Sequence, residues 1–561
     1  MICVVALLFV IAMCDLMLPR LMASLINEGI SRSDNDYILR TGLIMLLISL
    51  LSVSCSIVSN YLTALSAMGF GRKLRSDAFR KVTYFSLQQT GEFGTASLIT
   101  RTSSDVRELQ GLLQGGLTAI VSVPLHMVGG IVMALSMNTR LALIIIFAMP
   151  LVLLLIYINI NWVRPLFETM RDKLDSVSRV LREILLGIRV IRAFNAVEKE
   201  HERFNAANHE YTETFKKARY RMALLNPAST IITSGMMILV YWFGQFRIDA
   251  GDMTAGDIMA FTQYITQILG SIMALQMIFN MIPGALIASK RLNQMLDTEP
   301  QIVDPDEPLS PPREVFGEVR FENVTFRYPG AERPVLENIS FEAKPGESVA
   351  IIGGTGSGKT TLVSLIPRLY DIQQGRIFVD HIDVTKMAQN DLRERIGFVT
   401  QRAQLFTGSV ANNIRFGNVY ATDEDIVLAA EIAQASEFID EMSDKYDSFI
   451  SQDASNLSGG QKQRISIARA IARNPEIYIF DDSFSAVDFK TEAALRTALK
   501  TVTEKSTVII VAQRVSTVLN ADRIIVLDEG KCVGQGTHET LMDTCEIYRE
   551  IVYSQLGEEE V

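Results

Sequence analysis

The sequence predicts an α-helical six-span transmembrane domain followed by an α/β domain built around a phosphate-binding loop. Three observations carry this. Six apolar stretches, near 2–25, 41–66, 111–136, 141–162, 222–246 and 255–285, are each long enough to cross a bilayer, which takes about 20 helical residues. From Glu318 onward, short β-type runs alternate with helical stretches, the pattern of a largely parallel sheet with helices on its faces. Between the apolar run Val349–Ile352 and the helical run Thr361–Tyr370 stands Gly353-Gly354-Thr355-Gly356-Ser357-Gly358-Lys359-Thr360. This is a G-x-x-x-x-G-K-[ST] match in the strand-loop-helix setting that gives the pattern its meaning.

Composition supports the division. A chain of 561 residues is too long for one domain. Apolar residues make up 48% beside 21% charged, and mean hydropathy is +0.21, high for a water-soluble protein. The average hides a change of character between about residues 290 and 315. The net charge of −10 gives no electrostatic footprint for nucleic acid. Cys3, Cys14, Cys55, Cys532 and Cys545 show neither metal spacing nor a disulfide framework. The apolar start carries Asp15, Pro19 and Arg20 and no small-residue cleavage site, so it reads as a span and not as a cleavable signal.

In chain order, the connections between spans alternate in length, and their charge fixes the orientation. Residues 67–110 hold seven Lys/Arg and 163–221 hold thirteen, whereas the short connections share only Arg32, Arg40, Arg140 and Arg247. Basic connections stay in the cytoplasm, which places the long ones and everything after residue 290 on that side. The long connections have helical periodicity and almost no turn residues, so they read as cytoplasmic extensions of the membrane helices. Asp15 lies in the first span, where an ionisable group is expensive. It marks either a functional site or a pairing inside the bundle, for which Arg20 is poorly spaced. Nineteen of 23 methionines precede residue 290, as packing filler or as a soft surface for apolar ligands.

Residues 297–317 contain five prolines and no apolar periodicity, and read as a linker between a membrane domain, 1–296, and a nucleotide-binding domain, 318–561. Strands are expected at Val319–Phe326, Val349–Ile352, Ile396–Val399, Ile477–Phe480, Thr507–Val511 and Ile524–Leu527. The acidic end, Glu558–Glu560, reads as frayed chain.

The chemistry gathers in the second half. The loop glycines let backbone N–H groups converge on phosphate, Lys359 reaches the β- and γ-phosphates, and the Thr360 hydroxyl suits Mg²⁺. Ile477–Asp481 is a hydrophobic strand ending in an acid, which in a nucleotide-binding sheet belongs to the Mg²⁺ shell. Leu457-Ser458-Gly459-Gly460-Gln461 opens a helical run, Lys462–Arg473, and forms a second anion cradle. Two half-sites on one chain imply two nucleotide domains facing each other, each cradle covering the other's ATP.

Taken together, these motifs resemble an ABC exporter half-transporter of the multidrug type, over essentially the whole chain. The resemblance implies ATP and Mg²⁺ as ligands. It implies that Tyr328 stacks on adenine, that Gly353–Thr361 is the Walker A region, and that Gln401 is the Q-loop glutamine at Mg²⁺. It further implies that Leu457–Gln461 is the signature motif, Asp481 the Walker B aspartate, and Ser485–Asp488 the D-loop. Thr360, Gln401 and Asp481 would be the metal ligands. Ser97–Asp105 and Ile191–Phe204 resemble the regions around the two coupling helices.

Two positions depart from that pattern. The family places a glutamate after the Walker B aspartate to orient the attacking water; here it is Asp482, one methylene shorter. A misplacement of about 1 Å can cost on the order of 10²-fold in rate. The family's switch histidine is Gln513, which hydrogen-bonds phosphate but cannot take up charge. Ser451 also stands near the place of an acidic residue common before the signature. With LSGGQ intact, the combination resembles the degenerate-site subunit of a heterodimeric bacterial exporter. The expectation is a cell (inner) membrane subunit, paired with a related half-transporter and surrounded by lipid. It would move a hydrophobic or amphipathic compound, a drug or a lipid. A regulatory ATP-binding subunit and a homodimeric exporter of lipid or peptide stand as the alternatives.

Overall fold

Helix length follows hydropathy in the first half of the chain and outruns it at the basic connections. The computed structural model describes residues 2–311 and 316–556. Its long apolar helices are Ile2–Ser24, continued by a π-helical turn at Leu25–Ile30, then Asn35–Thr83, Val106–Met137, Thr139–Leu186, Leu225–Asp249 and Ala255–Asp297. Among the described residues six spans of sufficient length and hydropathy result; five predicted stretches fall inside one of them, and 255–285 overlaps Ala255–Leu275 within the helix that runs on to Asp297. Asn35–Thr83 has 49 residues. At 1.5 Å per residue it is about 74 Å long, more than twice the roughly 30 Å hydrocarbon core. The basic connections are therefore helix, as their periodicity predicts. Ser97–Asp105 lies in a short helix and the π-turn after it, where the buried Asp105 meets Arg291 at 2.5 Å.

The chain divides into two units: Met1–Thr83 with Ala96–Thr298, and Tyr84–Thr95 with Glu299–Val561. Inside the first, Leu141, Ile145, Val240, Phe261, Ile265 and Ile268 are buried together. Its second helix leaves Leu43, Leu46, Leu47, Leu50, Val53 and Ile57 exposed, which fits an apolar solvent and not water.

The described residues of the second unit form three sheets. The central one runs β12-β11-β3-β10-β9-β6, with β3 Ser348–Gly353, β6 Ile396–Val399, β9 Ile477–Asp481, β10 Thr507–Val511, β11 Arg523–Asp528 and β12 Lys531–Gly536. All neighbours are parallel except the edge strand β12. The second sheet is antiparallel, β2-β1-β4-β5, formed by β1 Val319–Phe326, β2 Leu336–Ala343, β4 Gln374–Val379 and β5 Ile382–Asp383. A two-stranded ribbon pairs β7 Gly408–Ser409 with β8 Phe449–Ile450. Val319–Phe326 therefore does not join the parallel sheet, contrary to expectation. Its Val319 and Phe321 point inward while Arg320 and Glu322 stay partly exposed, the alternation of a sheet with one wet face.

The proline-rich segment is irregular but tethered. Ile302 is buried, Arg368 donates to the Val303 carbonyl at 3.2 Å, and Leu309 N donates to the Lys386 carbonyl at 2.9 Å. Pro312 and Glu558–Glu560 lie outside the described residues.

Candidate functional site

The site assembles at the carboxyl ends of the central parallel strands, where open α/β sheets bind ligands. Val349–Ile352 of β3 are fully buried between β10 and β11. The chain leaves the sheet at Gly353, where a Cβ would fall 2.1 Å from the Leu527 carbonyl oxygen. It turns back at Gly358, whose φ of +97° and whose proximity to Leu336 (2.8 Å from a built Cβ) both require glycine. The loop Gly353–Gly358, with Thr355 and Gly356 exposed at its crest and Ser357 buried beneath, delivers the chain to the helix Lys359–Leu365. Lys359 is buried under the loop. Its ammonium donates to the Gly353 and Gly354 carbonyls at 2.8 and 2.7 Å. Burial pushes its pKa below the usual lysine range, and the Asp482 and Asp481 carboxylates oppose that fall.

Thr360 Oγ1 donates to Asp481 Oδ1 at 3.0 Å, so the first helical turn and the end of β9 converge across 121 residues of sequence. Asp481 is buried. Burial raises its pKa, with Asp482 adding to the rise, and the Thr360 hydroxyl and Lys359 oppose it. Thr360, Asp481 and Gln401 supply the hard oxygen donors that a Mg²⁺ ion prefers. Tyr328 places its hydroxyl 3.1 Å from Thr361 Oγ1, and its ring makes edge contacts with Phe326 and Tyr370. Tyr370 is the member of this aromatic group that sequence reasoning missed.

Strand order explains the most informative contact. β9 lies between β10 and β6. Asp482 follows β9, Gln513 follows β10 and Gln401 follows β6, so the two glutamines flank the aspartate. Both amides donate to one carboxylate oxygen, Gln401 Nε2 at 3.0 Å and Gln513 Nε2 at 2.8 Å to Asp482 Oδ2. The aspartate backbone is itself fixed, with φ of +47° and its N–H donating to the Val511 carbonyl at 3.0 Å.

The second cradle stands apart. Ser458 caps the helix Gly459–Arg473 through a reciprocal box: Ser458 Oγ accepts from Gln461 N at 3.3 Å, and Gln461 Oε1 accepts from Ser458 N at 2.9 Å. Ser458 and Gly459 are exposed, Gly460 partly so, and among the described residues no hydrogen bond joins Ser458–Gln461 to Gly353–Thr361. Near Ser458, Ser451 is occupied by Asn456 and Ser455, each at 2.9 Å.

Comparison with known proteins matches both halves. Residues 1–272 match the ABC transporter transmembrane region and residues 336–485 match the ABC transporter family's ATP-binding part. An uncharacterised ABC transporter ATP-binding protein of Mycobacterium tuberculosis is 40% identical over 544 residues, 96% of this chain and 93% of that protein. The chain belongs to the ABC transporter family. An ATP-dependent lipid A-core flippase of Syntrophus aciditrophicus is 30% identical over 519 residues, covering 92% of this chain and 86% of the flippase. The ATP-bound structure of a bacterial Atm1-family ABC exporter superposes with a TM-score of 0.82 at 25% identity, over 98% of this chain and 97% of that one. The chain is thus an ATP-driven exporter subunit that crosses the membrane several times and carries its ATP-binding domain after the spans.

Proposed function

We propose that this chain is the degenerate-site half of a heterodimeric exporter. It comprises a membrane domain, 1–296, a connector, 297–317, and a nucleotide-binding domain, 318–561. ATP sits on Gly353–Thr361 with Tyr328 at the base. Thr360, Gln401 and Asp481 hold Mg²⁺, whose charge offsets that of the β- and γ-phosphates. Bound there, ATP mainly keeps the two nucleotide domains closed. Ser458–Gln461, with Ser458 and Gly459 exposed, covers the partner's ATP, and hydrolysis takes place in that second site.

One observation carries the degenerate reading. Asp482 stands where the family's pattern has the glutamate that orients the attacking water, and its Oδ2 already accepts hydrogen bonds from Gln401 and Gln513. The two donated bonds occupy lone pairs that an attacking water's proton would need. A short side chain further reduces its reach. The cargo is a hydrophobic or amphipathic compound, and the flippase relative favours a lipid-like one. Native mass spectrometry after co-purification from the source cell tests the pairing. A mixed complex of this chain with a related half-transporter is expected. A homodimer that hydrolyses ATP vigorously would contradict it.

A further inference from the structure

The membrane bundle holds a polar cluster that ATP chemistry does not use. Asp15 in the first span accepts the Ser52 hydroxyl on Oδ1 at 3.0 Å and faces His126 Nε2 with Oδ2 at 3.3 Å. Its backbone carbonyl accepts Gln267 Nε2 at 2.9 Å. Side chains from four spans meet at one aspartate. Ionisable groups inside a membrane span are expensive, so packing alone is a poor reason for two of them.

Proton bookkeeping at His126 sharpens the point. Nδ1 lies 2.8 Å from the Ser122 carbonyl, which only accepts, so Nδ1 carries a hydrogen. Nε2 faces a carboxylate, so a second proton lies between the two side chains. His126 is thus the present hydrogen-bond partner of Asp15 Oδ2. Asp15 nevertheless keeps 35% of its side chain exposed, against 17% for His126. The exposed part faces a cavity of about 360 Å³ lined by Asp15, His126, Gln263 and Gln267 and by the apolar Leu18 and Val123. That volume suits a small ligand. Gln267 lines the cavity, and among the described residues its Oε1 is buried with no hydrogen-bond partner. The amide cannot turn to satisfy it without abandoning the Asp15 carbonyl.

We propose that this cavity binds the head of an amphipathic amine. An ammonium brings three donors and a positive charge. It meets the exposed part of the Asp15 carboxyl group and displaces His126 as that group's partner. The apolar body lies along Leu18 and Val123. An anionic head would face Asp15 and is excluded. This assignment rests on the exporter reading, whose cargo class it narrows.

The probe pair is pyrenebutylamine and its N-acetyl twin, which share an apolar body and differ by one charge. Both are titrated by fluorescence, without ATP, against the full chain in phosphatidylcholine nanodiscs, with empty nanodiscs subtracted. Wild type should bind the amine at least about tenfold more tightly than the twin, the scale of one ion pair out of bulk water. Asp15→Asn should abolish that preference and leave the twin's affinity unchanged. His126→Gln removes the competing imidazole partner and should tighten amine binding several-fold. Equal affinities in wild type, a preference that survives Asp15→Asn, or weaker amine binding in His126→Gln would each overturn the site. The wild-type ratio needs no variant, so a variant that misfolds leaves the test standing. Loss of the preference would not touch the exporter reading, which fails instead if vesicles bearing the complex move no amphiphile on ATP addition.

Discussion

At the residue scale, function turns on what is already bonded to what. Lys359 is held by two loop carbonyls at the position where phosphate oxygens would offer stronger, charge-assisted partners. Lys359→Ala should therefore weaken nucleotide binding at this chain's own site by about 10–100-fold, the worth of one hydrogen bond to a charged group. Photo-crosslinking with azido-ATP, with the partner's site disabled, measures it; unchanged occupancy would refute the phosphate-loop assignment. Gly353–Thr360, Asp481 and Ser458–Gln461 were all legible in the sequence, because loop chemistry dictates residue type and spacing. The clasp of Gln401 and Gln513 on Asp482 was not, because it depends on the order β10-β9-β6, which no linear spacing encodes. His126 was missed for a similar reason. One histidine in a span was a signal, yet its meaning came from Asp15, 111 residues away.

Among the elements, legibility followed hydrophobic continuity. The central parallel strands are buried on both faces and stand out as apolar runs. The antiparallel strands β2 and β4 carry Glu337, Asn338, Glu342 and Arg376 on wet faces, and their alternation is diluted by bulges. They were not predicted. The turn after β4 holds Asp380, fully buried, whose Oδ1 accepts the N–H groups of Gly317 and Glu318 at 2.7 and 2.9 Å. Burial pushes its pKa up to about 6, with Glu476 adding to the rise while the two backbone bonds and Arg395 oppose it. A raised carboxyl pKa means that the folded state holds its proton more tightly than the unfolded one. Stability from this group is present below the unfolded value, about 3.8, and is lost as pH rises through about 6. Asparagine is a neutral mimic of the protonated form. The melting temperature of wild type minus that of Asp380→Asn should therefore fall between pH 4 and 6 and level off above. A difference that rises over this window would contradict the burial account.

For the whole molecule, the division into six spans and an ATP-binding domain was legible because bilayer length and the phosphate loop each impose a strong pattern. The pairing of unequal halves is the central claim, and it predicts unequal responses to mutation. Asp482→Asn removes a carboxylate that is already engaged by two amides, so the complex should lose no more than about threefold of its hydrolysis, by the reasoning that a misplaced group contributes little. On the proposed pairing, Ser458→Arg fills the cradle over the partner's γ-phosphate, and losing donors aimed at developing charge costs about 10²–10³-fold. Steady-state ATPase activity of the two mixed complexes at saturating ATP and matched expression decides between the halves. The account predicts near-normal turnover with Asp482→Asn and near-complete loss with Ser458→Arg. Abolished turnover with Asp482→Asn and normal turnover with Ser458→Arg would place catalysis on this chain's own Walker motifs and contradict it.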